Sequence, residues 1–453
     1  MKNKLQTIFS AVIVTAMMFS ASSHAQIDTA LTAQLQQILN NHVLISGDNG
    51  VSACVIMQNG DTWKGTAGVG QGGVAVTDST VYHGASITKT NIATLILLLA
   101  EDGLLNLDSS WHKYVTTLNV NFDTTITVRQ LISHTSGIAD YLEAPGNGNY
   151  VTNDFNHAFT PTEILENIVS GVPDFAPGTD FMYSTSNFVL AALIAQTVTG
   201  NPVQQELRTR IWNPLGMTHT YFGGFETYTE PRSGVWWDFG NGIHNYSDSA
   251  ETSMLTFGFG GANIVSTPED LAHFVRALMT GNILTPASIS QMQMFSPNSY
   301  STWCAGYGLG IHHAYTFASE SMLGHDGYYT NMSDMFHSFD YGFTLVTMTN
   351  TPTQWFAIFD EMYTAIKNHI TLGTMENNDA PSLNIFPNPA TNTFMIENIF
   401  SNEAALLQIV NPLGNIVYAE KLFGKNEYVI EAKLGKGIYF VRVNNAVRKL
   451  VIE

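Results

Sequence analysis

The alternation of apolar and polar positions predicts a β-hairpin early in the chain and an apolar helix soon after it. Residues 51–57 and 62–69 alternate on either side of Asn59-Gly60, a dipeptide typical of tight hairpin turns. From Ile92 to Ala100 the apolar positions instead recur with helical spacing. Further helical stretches come after it, so this part of the chain predicts a mixed α/β architecture with a sizeable core.

The first 25 residues differ in pattern from the main part of the chain. They combine a basic start, a short apolar stretch and the small-residue sequence Ser23-His24-Ala25, which is the pattern of a cleaved secretory signal peptide. The apolar stretch is short for a membrane span of about 20 residues. We therefore expect an exported protein with no stable membrane span.

The last 81 residues, 373–453, also differ in pattern. Residues 373–381 are polar and end in a proline, which predicts a linker. Residues 382–453 carry short alternating runs broken by Gly-containing turns, which predict a small all-β sandwich. The expected organisation is a signal peptide (1–25), a main domain (26–372), the linker and the β-sandwich.

Charge and cysteine content narrow the function classes. The chain has 18 Lys+Arg against 37 Asp+Glu, a formal net charge of −19, and no basic run. This argues against nucleic acid as a partner. The two cysteines, Cys54 and Cys304, leave one disulfide possible without deciding it. No CxxC or HExxH motif is present, so we expect no metal and no other cofactor.

The pair Ser86 and Lys89 is the strongest candidate for chemistry. Residues three apart on a helix share a face, so the amine can reach the hydroxyl. A serine hydroxyl becomes a good nucleophile when a base takes its proton, and a lysine whose pKa is lowered can be that base. The Ser86 N–H, at a helix N-terminus, is a candidate oxyanion donor. A bare Ser-x-x-Lys is also common on helix surfaces, so the pair alone does not decide.

Further segments place the pair in a family context. Residues 101–108, 126–138, 214–218, 264–271 and 307–311, taken in order with the Ser-x-x-Lys, resemble the serine penicillin-recognising enzymes. The resemblance is to the branch of class C β-lactamases, D-Ala-D-Ala carboxypeptidases and related esterases. It implies an α/β (α+β) fold of the β-lactamase/transpeptidase type, with an antiparallel sheet flanked by helices and an all-α subdomain.

The resemblance also implies roles for residues of a second motif, Tyr-x-Asn, which falls at Tyr183-Ser184-Thr185. Tyr183 would face the nucleophile, where nearby cations would make its phenolate accessible for proton transfer. Thr185 departs from the family's Asn and offers one donor where an amide offers two donors and an acceptor. Its contact with a substrate carbonyl is therefore in doubt, and Asn187 does not replace it.

A third motif appears at residues 324–328, where the resemblance assigns His325, Gly327 and Tyr328 to a strand along the site. His325 would help to hold charge near the nucleophile, and the small Gly327 would let substrate lie against the strand. The Tyr328 N–H would be the second oxyanion donor. His312 and His313 show no metal-type spacing and are interpreted as structural. The Ser133-His134 loop lacks a GxSxG elbow and is interpreted as a scaffold turn.

The C-terminal part resembles a different kind of module. Residues 386–390, 411–414 and 437–443, with a basic end at 448–450, are similar to the sorting domain of proteins exported by the type IX secretion system of the Bacteroidetes. The resemblance implies export machinery as a partner and a secreted or cell-surface location. A carbohydrate-binding or adhesive β-module is the alternative, but no exposed aromatic cluster supports it.

The expected function is a secreted serine hydrolase that forms an acyl-enzyme on a small-molecule or peptide substrate. Peptidase action of the D-Ala-D-Ala carboxypeptidase kind is the first expectation, and esterase or amidase action is the second. A non-catalytic cell-wall peptide-binding module is the alternative from another class. Thr185, His325 and the lack of a nearby Arg argue against a dedicated β-lactamase. The aromatic insertion 221–246 either walls the site or forms ordinary core.

Overall fold

The structure is a computed structural model with side chains. It describes residues 27–46, 49–142, 144, 146–240, 242–299, 304–314, 320–352, 356–376, 383–391, 393–397, 405–411, 416–422, 427–443 and 446–453. The predicted signal peptide lies outside the described residues. The chain divides into two compact units, 1–367 and 368–453.

Helices and strands alternate through the first unit. The helices are α1 Thr29–Asn41, α2 Ile87–Glu101, α3 Val128–Ile132, α4 Gly148–Asn153, α5 Pro161–Glu163, α6 Thr185–Thr199, α7 Val203–Leu207, α8 Thr252–Phe257, α9 Pro268–Met279, α10 Pro286–Met292 and α11 Ala357–Glu376. Short π-helical turns cover His42–Ser46, Ile164–Ile168 and Arg208–Trp212, and 3₁₀ turns cover Gln71–Gly73 and Trp111–Lys113. The strands are β1 Gly50–Ile56, β2 Thr62–Gly68, β3 Tyr82–Ala85, β4 Tyr221–Phe222, β5 Trp236–Asp238, β6 Ile243–Asn245, β7 Ile264–Ser266, β8 Cys304–Tyr307, β9 His312–Ala314, β10 Met322–Tyr329, β11 Asn331–Ser338 and β12 Phe343–Thr349.

An antiparallel sheet forms the frame of the first unit. Its described strands lie in the order β2-β1-β12-β11-β10-β9-β8. The hairpin predicted around Asn59-Gly60 is β1–β2, within one residue of the expected bounds. Helix α1 packs on β2, and α9 packs on β1, β11 and β12. The predicted fold class, an antiparallel sheet flanked by helices, is confirmed.

Helix α2 lies at the centre of this unit. It contacts β3, β10 and β11 on the sheet side and α6 and α7 on the helical side. Most of its residues are buried, the polar Thr88, Asn91 and Thr94 among them. A helix that is buried on most sides can be apolar on most sides, which explains the continuous apolar run from Leu95 to Leu99. The residues at its N-terminus are thereby fixed in place.

The second unit contains the predicted β-strands. Its strands are β13 Asn384–Phe386, β14 Thr393–Glu397, β15 Ala405–Val410, β16 Ile416–Leu422, β17 Glu427–Glu431, β18 Gly437–Val443 and β19 Ala446–Ile452. They form two antiparallel sheets, β13-β14-β17 and β16-β15-β18-β19. Apolar side chains including Phe394, Leu407 and Val441 are buried together, as a small sandwich requires. Helix α11 continues to Glu376, four residues into the predicted linker.

The structure also bears on the possible disulfide and on membrane-spanning helices. Cys54 and Cys304 are both free and buried, so the possible disulfide is not formed. Among the helices of the described residues, none combines the length and apolarity that crossing a membrane requires.

Candidate active site

The segment before α2 presents Ser86 at a sharp strand-to-helix turn. Ala85 ends β3 with φ 49°, a left-handed conformation that is strained for a residue with a side chain. The Thr88 hydroxyl donates to the Ala85 carbonyl at 2.7 Å and so supports the turn. Ser86 is partly exposed, whereas its neighbours on both sides are buried. The turn therefore places a reactive hydroxyl at an accessible point of a rigid frame.

Lys89 is brought to Ser86 as the sequence predicts. Its Nζ lies 3.1 Å from Ser86 Oγ and 2.9 Å from the Gly261 carbonyl oxygen. The side chain is completely buried. Burial penalises the ammonium form, so this environment suits a lysine that must give up its proton. A Cβ on Gly261 would lie 2.4 Å from Thr185 Cγ2, which explains a glycine there.

Tyr183 closes the other side of the nucleophile. Its hydroxyl is hydrogen-bonded to Ser86, and Lys89 Nζ lies 4.7 Å from its ring centroid. Burial, with the charges of Asp326 and Asp140, raises the pKa of Tyr183 well above its ordinary value, although the bond to Ser86 opposes this. The accessible phenolate expected from the sequence is therefore not favoured, and Tyr183 is a phenol that can donate a proton.

His134 supports Tyr183 from behind. The buried His134 ring lies 4.3 Å from the Tyr183 ring and accepts a hydrogen bond at Nδ1 from the Ser184 N–H at 3.0 Å. Burial and the charge of Lys89 lower its pKa well below the ordinary value. Asn187 faces this loop, where it accepts from Ser136 Oγ at 2.6 Å. The loop is thus a scaffold turn, and its function is to hold Tyr183.

Thr185 is turned toward Asp140, an acidic residue that belongs to none of the three motifs. Thr185 is buried, and its hydroxyl donates to Asp140 Oδ2 at 3.4 Å. The other carboxylate oxygen of Asp140 accepts from the Leu142 N–H at 3.0 Å. Asp140 remains partly exposed. A carboxylate therefore lies next to the position that the family uses for an amide.

Strand β10 runs along the nucleophile segment. A Cβ on Gly327 would lie 2.5 Å from the Gly84 oxygen and 2.9 Å from Ala85 Cβ. The glycine is thus required by the backbone that presents Ser86, whereas the sequence predicted a substrate contact for it. Tyr328 is the next residue, with 51% of its surface exposed, and its ring packs 4.7 Å from Trp237. Its assignment as an oxyanion donor stays a prediction.

His325 belongs to a buried polar network. Its Nε2 lies 2.9 Å from the Tyr307 hydroxyl, and its Nδ1 faces the backbone oxygen of Asp326. The Asp326 carboxylate is in turn 2.7 Å from His312 Nε2. Burial and the charges of His312 and Lys89 lower the pKa of His325 well below its ordinary value, against the opposing charge of Asp326. His325 is therefore uncharged, whereas the resemblance implied that it would hold charge.

The same network contains metal-type ligand atoms. One atom each of His312, His325 and Asp326 lies within 4.8 Å of the other two. All three side chains already have protein hydrogen-bond partners. We therefore describe them as a hydrogen-bonded network.

Several residues of the site were not identified from the sequence as functional. Gly261 and Asp140 are far from Ser86 along the chain and carry no motif of their own. Tyr307 lies in the segment 307–311 that resembles the family, and that position in the family pattern was the signal available. His312 was interpreted as structural, but it contacts Asp326 beside the site.

The chain matches two protein-family models. Residues 44–368 match the Beta-lactamase family model, and residues 384–453 match that of the secretion system C-terminal sorting domain. PbpX of Bacillus subtilis strain 168, named as a putative penicillin-binding protein, is 29% identical over 299 residues. That match covers 66% of this chain and 65% of PbpX, slightly less than two thirds of either.

Two solved structures are similar over most of the first unit. A D-stereospecific amidohydrolase from a Streptomyces species is 28% identical, with a TM-score of 0.64, covering 76% of this chain and 99% of the other. The D-amino acid amidase of Ochrobactrum anthropi SV3 is 26% identical, with a TM-score of 0.65, covering 75% of this chain and 99% of the other.

Proposed function

Because the chain belongs to the β-lactamase family of serine hydrolases, we propose that it is an amidohydrolase that cleaves the amide bond of small amino-acid amides or short peptides carrying a free α-ammonium group. The D-configuration is proposed from the two amidohydrolase neighbours. The sorting domain indicates type IX export, so the substrate would be met outside the cell or at its surface.

The observation that carries the proposal is the geometry of Ser86, Lys89 and Tyr183. Lys89 Nζ, 3.1 Å from Ser86 Oγ, takes the hydroxyl proton as Oγ attacks the amide carbon. The C–N bond then breaks, and the departing nitrogen receives a proton from Tyr183, which takes up in turn the proton that Lys89 accepted from Ser86. Water hydrolyses the resulting ester in a second step and releases the acid.

The charges around the site favour a cationic substrate. Asp140 is a partly exposed carboxylate beside Thr185, and its charge also acts on Tyr183. A partly exposed carboxylate beside Thr185 can bind the α-ammonium of an aminoacyl group. Since the Thr185 hydroxyl is already directed at Asp140, the two residues act together at the position of the family's amide.

Within the described part of residues 27–367, no arginine and no lysine other than Lys89 is placed to hold a substrate carboxylate. The arginines and the other lysines there have partners elsewhere: Arg129 with Asp108, Arg208 with Glu226, Arg210 with Glu206 and Asp102, Arg232 with Glu251, Arg276 with the carbonyls of Met57 and Gln58, Lys64 with Glu269, Lys113 with Tyr114 and Lys367 with Glu320. A peptide that ends in a free carboxylate would therefore lack a cationic partner apart from Lys89.

Aromatic residues of the 221–246 insertion lie next to the nucleophile segment. Trp237 packs against the exposed Tyr328. Phe239 and Leu142 pack against the buried cluster that contains Ala85. The insertion thus contributes an apolar wall, which suits an apolar or aromatic side chain on the acyl part of the substrate.

D-Ala-D-Ala carboxypeptidase action, the first expectation from the sequence, is the second candidate. Its support is the similarity to PbpX. The charge distribution around Ser86 is less favourable to it, because its substrate presents a terminal carboxylate. A simple ester carries neither an α-ammonium nor a terminal carboxylate. In an esterase Asp140 would therefore contribute nothing to specificity.

A substrate comparison with one matched variant separates these candidates. We expect D-phenylalanine amide to be cleaved with a higher kcat/KM than N-acetyl-D-phenylalanine amide, diacetyl-Lys-D-Ala-D-Ala or a nitrophenyl ester. Asp140→Asn keeps the shape but removes the charge, so it should lower kcat/KM for the free amide about tenfold to a hundredfold, the value of a charged hydrogen bond. The acetylated amide should be unaffected.

The control is covalent labelling of Ser86. A fluorophosphonate should add one label to the wild-type chain and none to Ser86→Ala, as intact mass shows. Preferential release of D-Ala would favour the carboxypeptidase. Failure of Ser86 to react with any probe, while peptide still binds, would favour the non-catalytic module and refute an enzyme.

A further inference from the structure

Two buried histidines flank one buried aspartate beside the nucleophile. Asp326 Oδ1 lies 2.7 Å from His312 Nε2 and 3.6 Å from His325 Nδ1. The three side chains are at most 6% exposed. One carboxylate charge can be compensated by one protonated histidine, and a second proton would leave an uncompensated charge in the interior. The hydrogen-bond partners of the ring nitrogens indicate which of the two histidines is protonated on both nitrogens.

The hydrogen bonds of His312 answer this question. Its Nδ1 lies 2.8 Å from the His313 carbonyl oxygen, and its Nε2 lies 2.7 Å from Asp326 Oδ1. Nε2 also lies 3.4 Å from the backbone nitrogen of Asp326, a donor, but its contact with the carboxylate is much the shorter. The nearest partner of each ring nitrogen is therefore an acceptor, so both nitrogens carry hydrogen. A histidine with two N–H groups is an imidazolium. His312 thus carries the positive charge that pairs with Asp326.

The hydrogen bonds of His325 have the opposite character. Its Nδ1 faces the Asp326 carbonyl oxygen and therefore carries hydrogen. Its Nε2 lies 2.9 Å from the hydroxyl of Tyr307. Burial raises the pKa of Tyr307 well above its ordinary value, so this hydroxyl keeps its proton. His325 Nε2 can then accept from Tyr307 with a free lone pair, as a neutral imidazole does.

We propose that His312 is a positioning residue that keeps His325 uncharged, because His312 carries the proton that compensates Asp326 and leaves His325 to orient the Tyr307 hydroxyl. Tyr307 lies with its ring 5.9 Å from that of Tyr183 and 4.7 Å from that of His134. If His325 became an imidazolium, its Nε2–H would reverse the Tyr307 hydroxyl. The hydrogen-bonding face beside Tyr183 would then change.

The charged and titratable groups around His325 come from several elements. They are Asp326 on its own strand, His312 on β9, Tyr307 and Cys304 on β8, Lys89 on α2, Tyr183 before α6, and Asp334 on β11, directly across from Asp326. Burial and the charge of Asp326 raise the pKa of Asp334 well above its ordinary value, so it is a neutral acid. Lys89 and His312 both oppose a charge on His325, and Asp326 is the nearby anion that would favour one.

Three variants test the assignment, with a neighbouring histidine as control. His312→Gln removes the cation but can still donate to Asp326, so Asp326 should now draw a proton to His325. Activity should then fall about tenfold per pH unit below a pKa that is higher than that of His325 in the wild type. Asp326→Asn removes the anion, and the double variant removes both charges. Neither should show this acid limb. His313→Gln, on the same strand, should behave as wild type.

Nuclear magnetic resonance of the ring nitrogens gives a readout that needs no substrate. In full-length protein labelled at its 14 histidines, His325 should show the Nδ1–H neutral pattern and His312 the cationic pattern at pH 7. Assignment by His325→Gln and His312→Gln identifies the two signals. A cationic His325 in the wild type, or no new titration in His312→Gln, would overturn the proposal.

The kinetic part rests on the proposed amidohydrolase function, but the spectroscopic part does not. If D-phenylalanine amide is not a substrate, the labelling rate of Ser86 by a fluorophosphonate replaces kcat/KM in the pH profiles. If His312→Gln does not fold, the double variant and the wild-type spectra still decide the charge of His325.

Discussion

Replacing Gly327 with alanine tests whether β10 supports the nucleophile. The added Cβ would lie 2.4 Å from Ser333 Oγ, 2.5 Å from the Gly84 oxygen and 2.9 Å from Ala85 Cβ. The serine side chain can turn away, at the cost of its 2.8 Å hydrogen bond to the Gly84 oxygen. The Gly84 oxygen belongs to the backbone and cannot move unless the segment before Ser86 moves.

The magnitude follows from these contacts. Overpacking of a core by one methyl group costs about 1–3 kcal/mol, so Gly327→Ala should lower the free energy of unfolding by that amount. A displacement of catalytic groups by about 1 Å can cost about a hundredfold in rate. We expect kcat to fall about that far, because the contacts with Gly84 and Ala85 lie immediately before the nucleophile.

Urea unfolding, kcat and the rate of Ser86 labelling measure the two effects separately. Gly171→Ala is the matched control, since its Cβ would find no atom closer than 3.5 Å. Ser333→Ala combined with Gly327→Ala removes one close contact but leaves the Gly84 oxygen, so it should not restore activity. Full activity in Gly327→Ala, or full rescue by Ser333→Ala, would refute the reasoning.

Three more predictions concern the buried groups. Lys89→Met removes the base and should slow both amide cleavage and fluorophosphonate labelling about 10²- to 10⁴-fold; an unchanged labelling rate would exclude Lys89 as the base. Burial raises the pKa of Asp360 to about 6, so this carboxyl binds a proton on folding, and its contribution to stability is present below about pH 4 and lost as the pH rises through 6. Asp360→Asn should accordingly raise the urea midpoint at pH 8 and not at pH 4, and an equal shift at both would contradict the raised pKa. Burial raises the pKa of Cys304 to about 12 and also raises that of Cys54, so a maleimide should label both only after unfolding, and fast native labelling would show that one of them is accessible.

Features set by local sequence were predicted well. The hairpin β1–β2 follows from alternation on either side of Asn59-Gly60, and the pair Ser86 and Lys89 follows from helical spacing. The strands of the second unit were found for the same reason. In each case the interacting residues are close along the chain, so a short pattern contains the whole interaction.

Long-range contacts were predicted only where the resemblance to a known family supplied them, as for Tyr183 and Ser86. The oxygen of Gly261 binds Lys89 across 172 positions of the chain, and Thr185 meets Asp140 across 45. Neither contact leaves a repeating pattern in the sequence. For Gly327 the sequence shows that the residue is small but not which backbone passes beside it, so its close approach to Gly84 and Ala85 was not predicted.

Charge states required the structure for a related reason. The sequence analysis places a histidine, a tyrosine and a lysine near Ser86, and each of these residue types has an ordinary pKa in water. The phenolate expected for Tyr183 and the charge expected for His325 both assumed that neighbouring charges dominate. In the structure burial is the largest influence on both pKa values, and it favours the neutral form of each.

The acidity of the chain affects which substrate charge is favoured. With Tyr183 and His325 neutral, the charges that act directly on the Ser86 region include Lys89 and the partly exposed Asp140. The formal net charge of −19 adds a long-range field of the same sign as Asp140. A substrate with a free ammonium group approaches with this field, and one with a free carboxylate approaches against it. Lys89 offsets this field only while it holds a proton, and it must give that proton up before it can take the one from Ser86. Asp140 and the net charge of the chain therefore both favour a substrate with a free ammonium group, such as an amino-acid amide.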